Sequence, residues 1–206
     1  MCAAQRGADA DADRPKPLQR YPPLIAPTLP GNEPQRLAAV HAIGAVDTAL
    51  EAQLSRFVRL AKAIVDVPVA AVALIDEDRQ VFRGCAGQWI RESPRELSFC
   101  AHAIHESALL QVPDASLDPR FVDNPLVTQA PGIRFYAGFP LCLWDGLAVG
   151  ALCLIDFQPR ELSDAQKTHL RDLADSLQRE LTLHVLLRDL ANLQHSAARV
   201  AADVTA

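Results

Sequence analysis

The chain has 206 residues, half of them hydrophobic, with a net charge of −5 and a pI near 5.6. That length holds one domain of ordinary size with extensions, and the acidic balance lacks the basic stripe with which nucleic-acid binders neutralise phosphates. No segment reaches the roughly 18–20 uncharged apolar residues of a membrane span and the N-terminus has no apolar secretion core, so the expectation is a cytoplasmic protein with neither nucleic acid nor membrane as a partner.

Residues 1–35 hold seven of the fifteen prolines. Proline fixes φ and removes a donor, so this stretch is expected to be a disordered or extended tail; docking of Tyr21, Leu24 and Ile25 on the domain or on a partner is the alternative. Helical spacing begins at Gln35 and, after a break at Gly44 and Asp47-Thr48, continues as Leu50, Leu54, Phe57, Ala61 and Ile64, closed by Pro68. Val69–Ile75 is a short apolar run rich in valine and alanine; the polar turn Asp76–Arg79 then folds Val81–Cys85 back on it as a hairpin.

Between Gly87 and Gly132 the period is irregular, with one short helix expected at Phe99–Glu106 and one weak strand at Leu110–Val112. A loop-rich stretch of that length inside a domain reads either as the cover of a binding cavity or as a wrap around a sheet edge. Ile133–Trp144 and Leu147–Ile155 flank Asp145-Gly146, a pair suited to a tight hairpin turn. Both are almost continuously apolar, as strands covered on each face are.

Ser163-Asp164-Ala165-Gln166 is a capping box. It opens a helix of some forty residues whose first apolar seam is Leu170, Leu173 and Leu177. A second seam, shifted in phase, follows at Leu183, Leu186, Leu190, Leu193, Ala197, Val200 and Val204 in heptad steps. The overhang beyond the domain is expected to pair with a second chain.

Cys2, Cys85, Cys100, Cys142 and Cys153 show no CxxC and no framework of pairs, so reduced thiols are expected. Cys100, His102, His105 and Glu106 cluster, but residues two apart on a helix point to nearly opposite sides, so Cys100 and His102 do not share an ion easily; no metal is assigned. Asp114, Asp118, Asp123 and Asn124 suit local turns. The sharper reading places Asp114 and Arg134 at a pocket mouth, with Phe99, Phe121 and Tyr136 meeting the apolar part of a ligand. GxSxG, a phosphate loop and HExxH are all missing, which makes a non-enzymatic module the default.

The blocks SFCAHAI (98–104), DPRF (118–121), IRFYAGFPL (133–141) and LCLID (152–156), in this order, resemble the GAF domain family, in particular GAF domains that stand alone or precede bacterial histidine kinases and diguanylate cyclases. The resemblance covers residues 36–184 and leaves 185–206 as a helical extension. It implies an α+β, PAS-related fold: a central antiparallel sheet of five or six strands, terminal helices on one face forming a dimer contact, and a loop-rich cover with short helices on the other. It further implies a signalling sensor, with Phe99, Cys100, His102, Asp114, Phe121, Arg134 and Tyr136 as candidate ligand-binding residues, a homodimer, a small-molecule ligand of unassigned class and an output partner acting in trans. The cyclic-nucleotide and bilin signatures of the family are missing. Free methionine sulfoxide reductases share the fold and use cover-region thiols, so Cys85 and Cys100 carry an enzymatic alternative; a dimerisation scaffold with a filled-in pocket is another.

Overall fold

A computed structural model describes residues 24–44, 48–143 and 146–204. The expected break at Asp47, the turn residues Trp144 and Asp145, and the tail up to Pro23 with Tyr21 lie outside them. Strand β1 (Val69–Ile75) is buried at every position, because its two faces serve two different cores. Ala70, Val72 and Leu74 point into one, and Val69, Ala71, Ala73 and Ile75 into the other. Strand β6 (Ala148–Asp156) pairs antiparallel beside it and alternates in the same way, with Leu152 and Leu154 on one side and Ala151, Cys153 and Ile155 on the other. Period-2 side-chain alternation in a doubly covered strand erases the polar positions, which is why both runs read as continuously apolar.

The sheet has six antiparallel strands in the order β3-β2-β1-β6-β5-β4, with β2 at Arg79–Ala86, β3 at Glu92–Pro94, β4 at Leu110–Val112 and β5 at Phe135–Cys142. The fold is therefore α+β as expected, with β3 an addition that three residues could not announce. A bulge interrupts the β1/β2 register between Ala71 and Val72, where Ala71 faces Cys85 and Val72 faces Arg83. The extra residue is Gly84, at φ +58°, and its free N–H donates to the Glu51 carboxylate at 3.0 Å. An added Cβ there would press on the Leu54 backbone and side chain at 2.8–2.9 Å, so glycine supplies both the backbone conformation and the room for the helix.

Three helices cover one face: α1 (Glu33–Ile43), α2 (Thr48–Val65) and α5 (Asp164–Val204). Their buried residues include Ala39 and Ile43, Leu50, Leu54, Val58 and Ala61, and Leu170, Ala174, Leu177, Leu181 and Val185. Helix α5 opens on a complete capping box, in which the Gln166 N–H donates to Ser163 Oγ at 3.2 Å and the Ser163 N–H to Gln166 Oε1 at 3.0 Å. Its stripe against the sheet uses Ala174 where the leucine spacing pointed to Leu173, which is only partly buried. The small side chain lets the helix approach the sheet.

Val185 is the last buried residue of the helix among those described. Leu183, Leu186, Leu187, Leu190 and Leu193 are 51–68% exposed, on a helix that runs about 28 Å further at 1.5 Å per residue. Among the described residues no helix is long and apolar enough to cross a membrane.

The opposite face carries α3 (Phe99–Ala103) and α4 (Pro125–Thr128) with their connecting loops. Helix α3 stops at Ala103, short of the expected Glu106, where a turn of the chain leads into β4.

An ionic cluster joins the two faces at one end of the sheet. Glu33 accepts from Arg36 Nε and Nη2 at 2.6 and 2.8 Å and from Arg95 Nη1, while Arg36 Nη1 donates to the Ile75 carbonyl at 2.6 Å and Arg95 Nη1 to that of Asp76 at 2.9 Å. Arg36 and Arg95 are 1% and 5% exposed. Burial works against the Glu33 carboxylate, but hydrogen bonds and charge from the two arginines outweigh it and bring its pKa from 4.5 to about 2.

Candidate functional site

The cover is pinned to the sheet by a buried polar chain. Ser98 caps α3 by accepting from the Ala101 N–H at 2.9 Å, its hydroxyl donates to Gln80 Oε1 at 2.5 Å, and Gln80 Nε2 donates to Ser93 Oγ at 2.7 Å. Asn124, also buried, caps α4 through Leu126 N–H at 2.9 Å and donates its amide to the Leu97 carbonyl at 3.0 Å. Both short helices thus start from one anchored point. Their starting residues, Ser and Asn, are the N-cap types expected there.

Between cover and sheet lies a stack of rings. Phe99 and Phe121 are parallel with centroids 3.9 Å apart, Tyr136 of β5 sits 5.1 Å from Phe99, and His102 meets Phe121 edge-on at 4.9 Å. Phe99, Phe121 and Tyr136 are at most 3% exposed. The Tyr136 hydroxyl donates to Cys100 Sγ at 3.3 Å. It lies over Gly138, where any Cβ would overlap the phenol oxygen, and Gly138 faces Cys153 across the sheet. Tyr136, Cys100 and Cys153 therefore form a sealed group in which burial, reinforced by the neighbouring thiols, holds the phenol far above its usual pKa. Gly138→Ala should lower stability by about 1–3 kcal/mol, as overpacking does. Urea denaturation checks this, and a neutral result would mean that the phenol can swing aside at no cost.

Sequence reasoning thus named four residues that the fold brings together: Phe99, Cys100, Phe121 and Tyr136. His102 stands at their outer rim, partly buried, with Phe121 below and the Ile25 backbone, Arg120, His105 and Asp118 around it. Burial first, then the positive charge of Arg120, takes its pKa from 6.5 to about 4, so the ring is neutral at pH 7. Arg120 pairs with Asp118 through two bonds of 2.6 and 3.0 Å and lies 5.1 Å over the Phe121 ring.

Asp114 and Arg134 engage the chain locally. Asp114 accepts from the N–H and hydroxyl of Ser116 at 3.0 and 2.6 Å, and Arg134 Nη1 donates to the Val127 and Ile133 carbonyls, each at 3.0 Å. Cys85 is exposed on β2, whereas Cys100 is a buried residue of α3. Among the described residues no group of three His, Cys, Asp or Glu side chains could hold a metal ion.

A contact of the N-terminal segment, for which docking of Tyr21, Leu24 and Ile25 on the domain or on a partner is the alternative to a free tail, lies outside the ring stack. Residues 24–30 run across α3, and His105 Nε2 donates to the Thr28 carbonyl at 2.8 Å.

The sequence pattern of the GAF domain family matches residues 49–181. A cyclic di-GMP phosphodiesterase of Pseudomonas aeruginosa is 41% identical over 137 residues, 66% of this chain; the chain spans only 23% of that relative's length. Among solved structures, free methionine-R-sulfoxide reductase from Neisseria meningitidis superposes with a TM-score of 0.56 at 19% identity, over 75% of this chain and 88% of that one. The blue-light-absorbing form of the PixJ GAF domain from Thermosynechococcus elongatus gives 0.54 at 17% identity, over 70% and 92%. At such identities the superpositions speak for the fold alone.

Proposed function

The chain belongs to the GAF domain family, and from that premise we propose that it is a regulatory signalling module, a homodimer through α5 whose input is the state of the cover. The observation that carries this reading is the run of five leucines between positions 183 and 193, all more than half exposed on a helix that continues past its own domain. An apolar face of that size on a soluble helix calls for a partner, and the a/d spacing of Leu183, Leu186, Leu190 and Leu193 is that of a second helix. A groove of about 380 Å³ beside α5, lined by Leu143, Thr182, Leu183 and Leu186 among others, lies against the first turns of this seam.

The relative named as a cyclic di-GMP phosphodiesterase supports placing such a module in cyclic-dinucleotide signalling, with a partner protein reading its state. The input follows from the ring stack. A small molecule reaching Phe99, Cys100, Phe121 or Tyr136 has first to part the stacked rings, so binding and cover opening are one event, and ligand affinity is reduced by the cost of opening. His102 at the rim, with Asp114 and Arg134 on the flanking loops once their local bonds open, would meet its polar end.

Sedimentation of the full chain tests the assembly. Wild type should be a dimer at micromolar concentration, and Leu186→Glu with Leu190→Glu should dissociate it by at least a hundredfold in Kd while leaving the circular dichroism of the domain unchanged. A monomeric wild type, or a dimer indifferent to both charges, overturns the reading. Native mass spectrometry under reducing conditions then shows whether the purified dimer retains a small molecule.

A further inference from the structure

The segment 24–44 touches the cover, the end of β1 and the output helix. At its start the Thr28 carbonyl holds the cover through His105, whose Nε2 lies 2.8 Å away, and the Ile25 backbone runs beside His102. Its middle is clamped: Glu33 and Arg36 are locked to Arg95 and to the Ile75 carbonyl at the end of β1. At its end the last carbonyls of α1 are taken by two side chains one turn apart on α5. His184 Nε2 lies 3.3 Å from the Ile43 carbonyl and Arg188 Nη1 donates to that of Ala42 at 3.1 Å. Gly44, at φ +67°, lets the chain turn there, since a Cβ would overlap the Arg188 guanidinium.

His184 and Arg188 are interleaved with Leu183, Leu186 and Leu187. The residues that hold α1 and those that form the exposed seam therefore belong to the same two turns of α5. A tilt of α1 about its clamped first turn would have to break or drag these bonds at its far end, and so rotate or loosen α5 at the start of its seam. The C-terminus of a helix also favours a cation through its partial negative charge, which makes Arg188 a directed contact.

We infer that residues 24–44 act as a relay, a strap over the cover continued by a helix that reports cover opening to the seam of α5. The inference rests on the reading of α5 as the output element, and it assigns that element its regulation. The relay is a two-ended coupling: what loosens the cover end must loosen the α5 end, and the reverse must hold by the same factor in equilibrium terms.

Hydrogen–deuterium exchange of the full chain tests it with two surface substitutions. His105→Ala cuts the cover end and Arg188→Ala the α5 end; both side chains bond at exposed positions, so the fold should survive. His105→Ala is expected to raise exchange at least fivefold in residues 181–190 as well as in 99–104. Arg188→Ala should raise it comparably in 99–104 as well as in 36–44, and Arg188→Lys, which keeps a donor for the carbonyl, should restore most of the protection. Effects confined to the mutated end overturn the relay. So does an equal rise at both ends in Lys167→Ala, a control that removes only an outlying pair with Asp164, because it would mean general loosening. Sedimentation of the same samples separates the two claims: coupled exchange in a monomer keeps the relay and removes the dimer, while a dimer with uncoupled ends does the opposite.

Discussion

Glu33→Ala is expected to lower the unfolding free energy by about 3–5 kcal/mol, the cost of leaving buried charge without its partner. Two guanidinium groups converge on this one carboxylate, and neither has an alternative anion among its hydrogen-bond partners, which are the Ile75, Asp76 and Glu77 carbonyls. Among the described residues Arg95 Nε and Nη2 already lack partners, so losing Glu33 leaves Arg95 still less compensated. The same cluster makes the fold acid-sensitive. The folded pKa of Glu33 is about 2 against 4.5 for the free group, so its contribution is complete above pH 4.5 and is lost as pH falls toward 2. His102 acts one window higher: its folded pKa is about 4 against 6.5, so the unfolded chain takes up a proton first and stability declines between pH 6.5 and 4. Each group has a slope of at most about 1.4 kcal/mol per pH unit. Urea titrations at stepped pH should therefore show two adjoining declines, with His102→Gln flattening the upper and Glu33→Ala the lower. An unchanged slope in either variant would show that the group named is not the one that titrates.

Which parts of this structure could be read beforehand follows from what leaves a periodic trace. β1, β5 and β6 announce themselves because both faces are buried, and Ser163 with Gln166 because a capping box is a local motif realised within four residues. The phase shift seen along α5 is physical. Leu170, Ala174, Leu177, Leu181 and Val185 face the helix's own sheet, while the leucines from 183 to 193 form a second stripe turned away from it. Counting leucines alone hid Ala174 and promoted Leu173. The Glu33–Arg95 contact spans 62 positions and the Ser98–Gln80 contact 18; such single polar contacts carry no period, and β3 is too short to have one. In the site, aromatic residues flagged as a ligand surface do converge, because large apolar side chains are sorted by burial. Asp114 and Arg134 had equal claims on a ligand and on nearby backbone, and sequence offers no means of choosing between those partners.

Phe121→Ala should cost about 3–5 kcal/mol, the range for deleting a fully buried ring, because Phe121 is the member of the stack that ties its own loop to α3. Phe99 lies parallel to it, His102 packs against it edge-on and Arg120 sits over its face. The space left has Phe99 as its floor and His102 and Arg120 at its rim, and the apolar part of such a cavity accepts a planar ring. Indole or benzene should accordingly raise the Tm of Phe121→Ala by several degrees and leave wild type unmoved. The pair of results discriminates between two pictures of the input. If wild type gains as much as the variant, the cover is already open to aromatic ligands and the ring stack is no gate. If only the variant gains, the ring of Phe121 is what keeps aromatic ligands out of the closed cover, and the gain reports the affinity of the added ring for the space that the side chain fills.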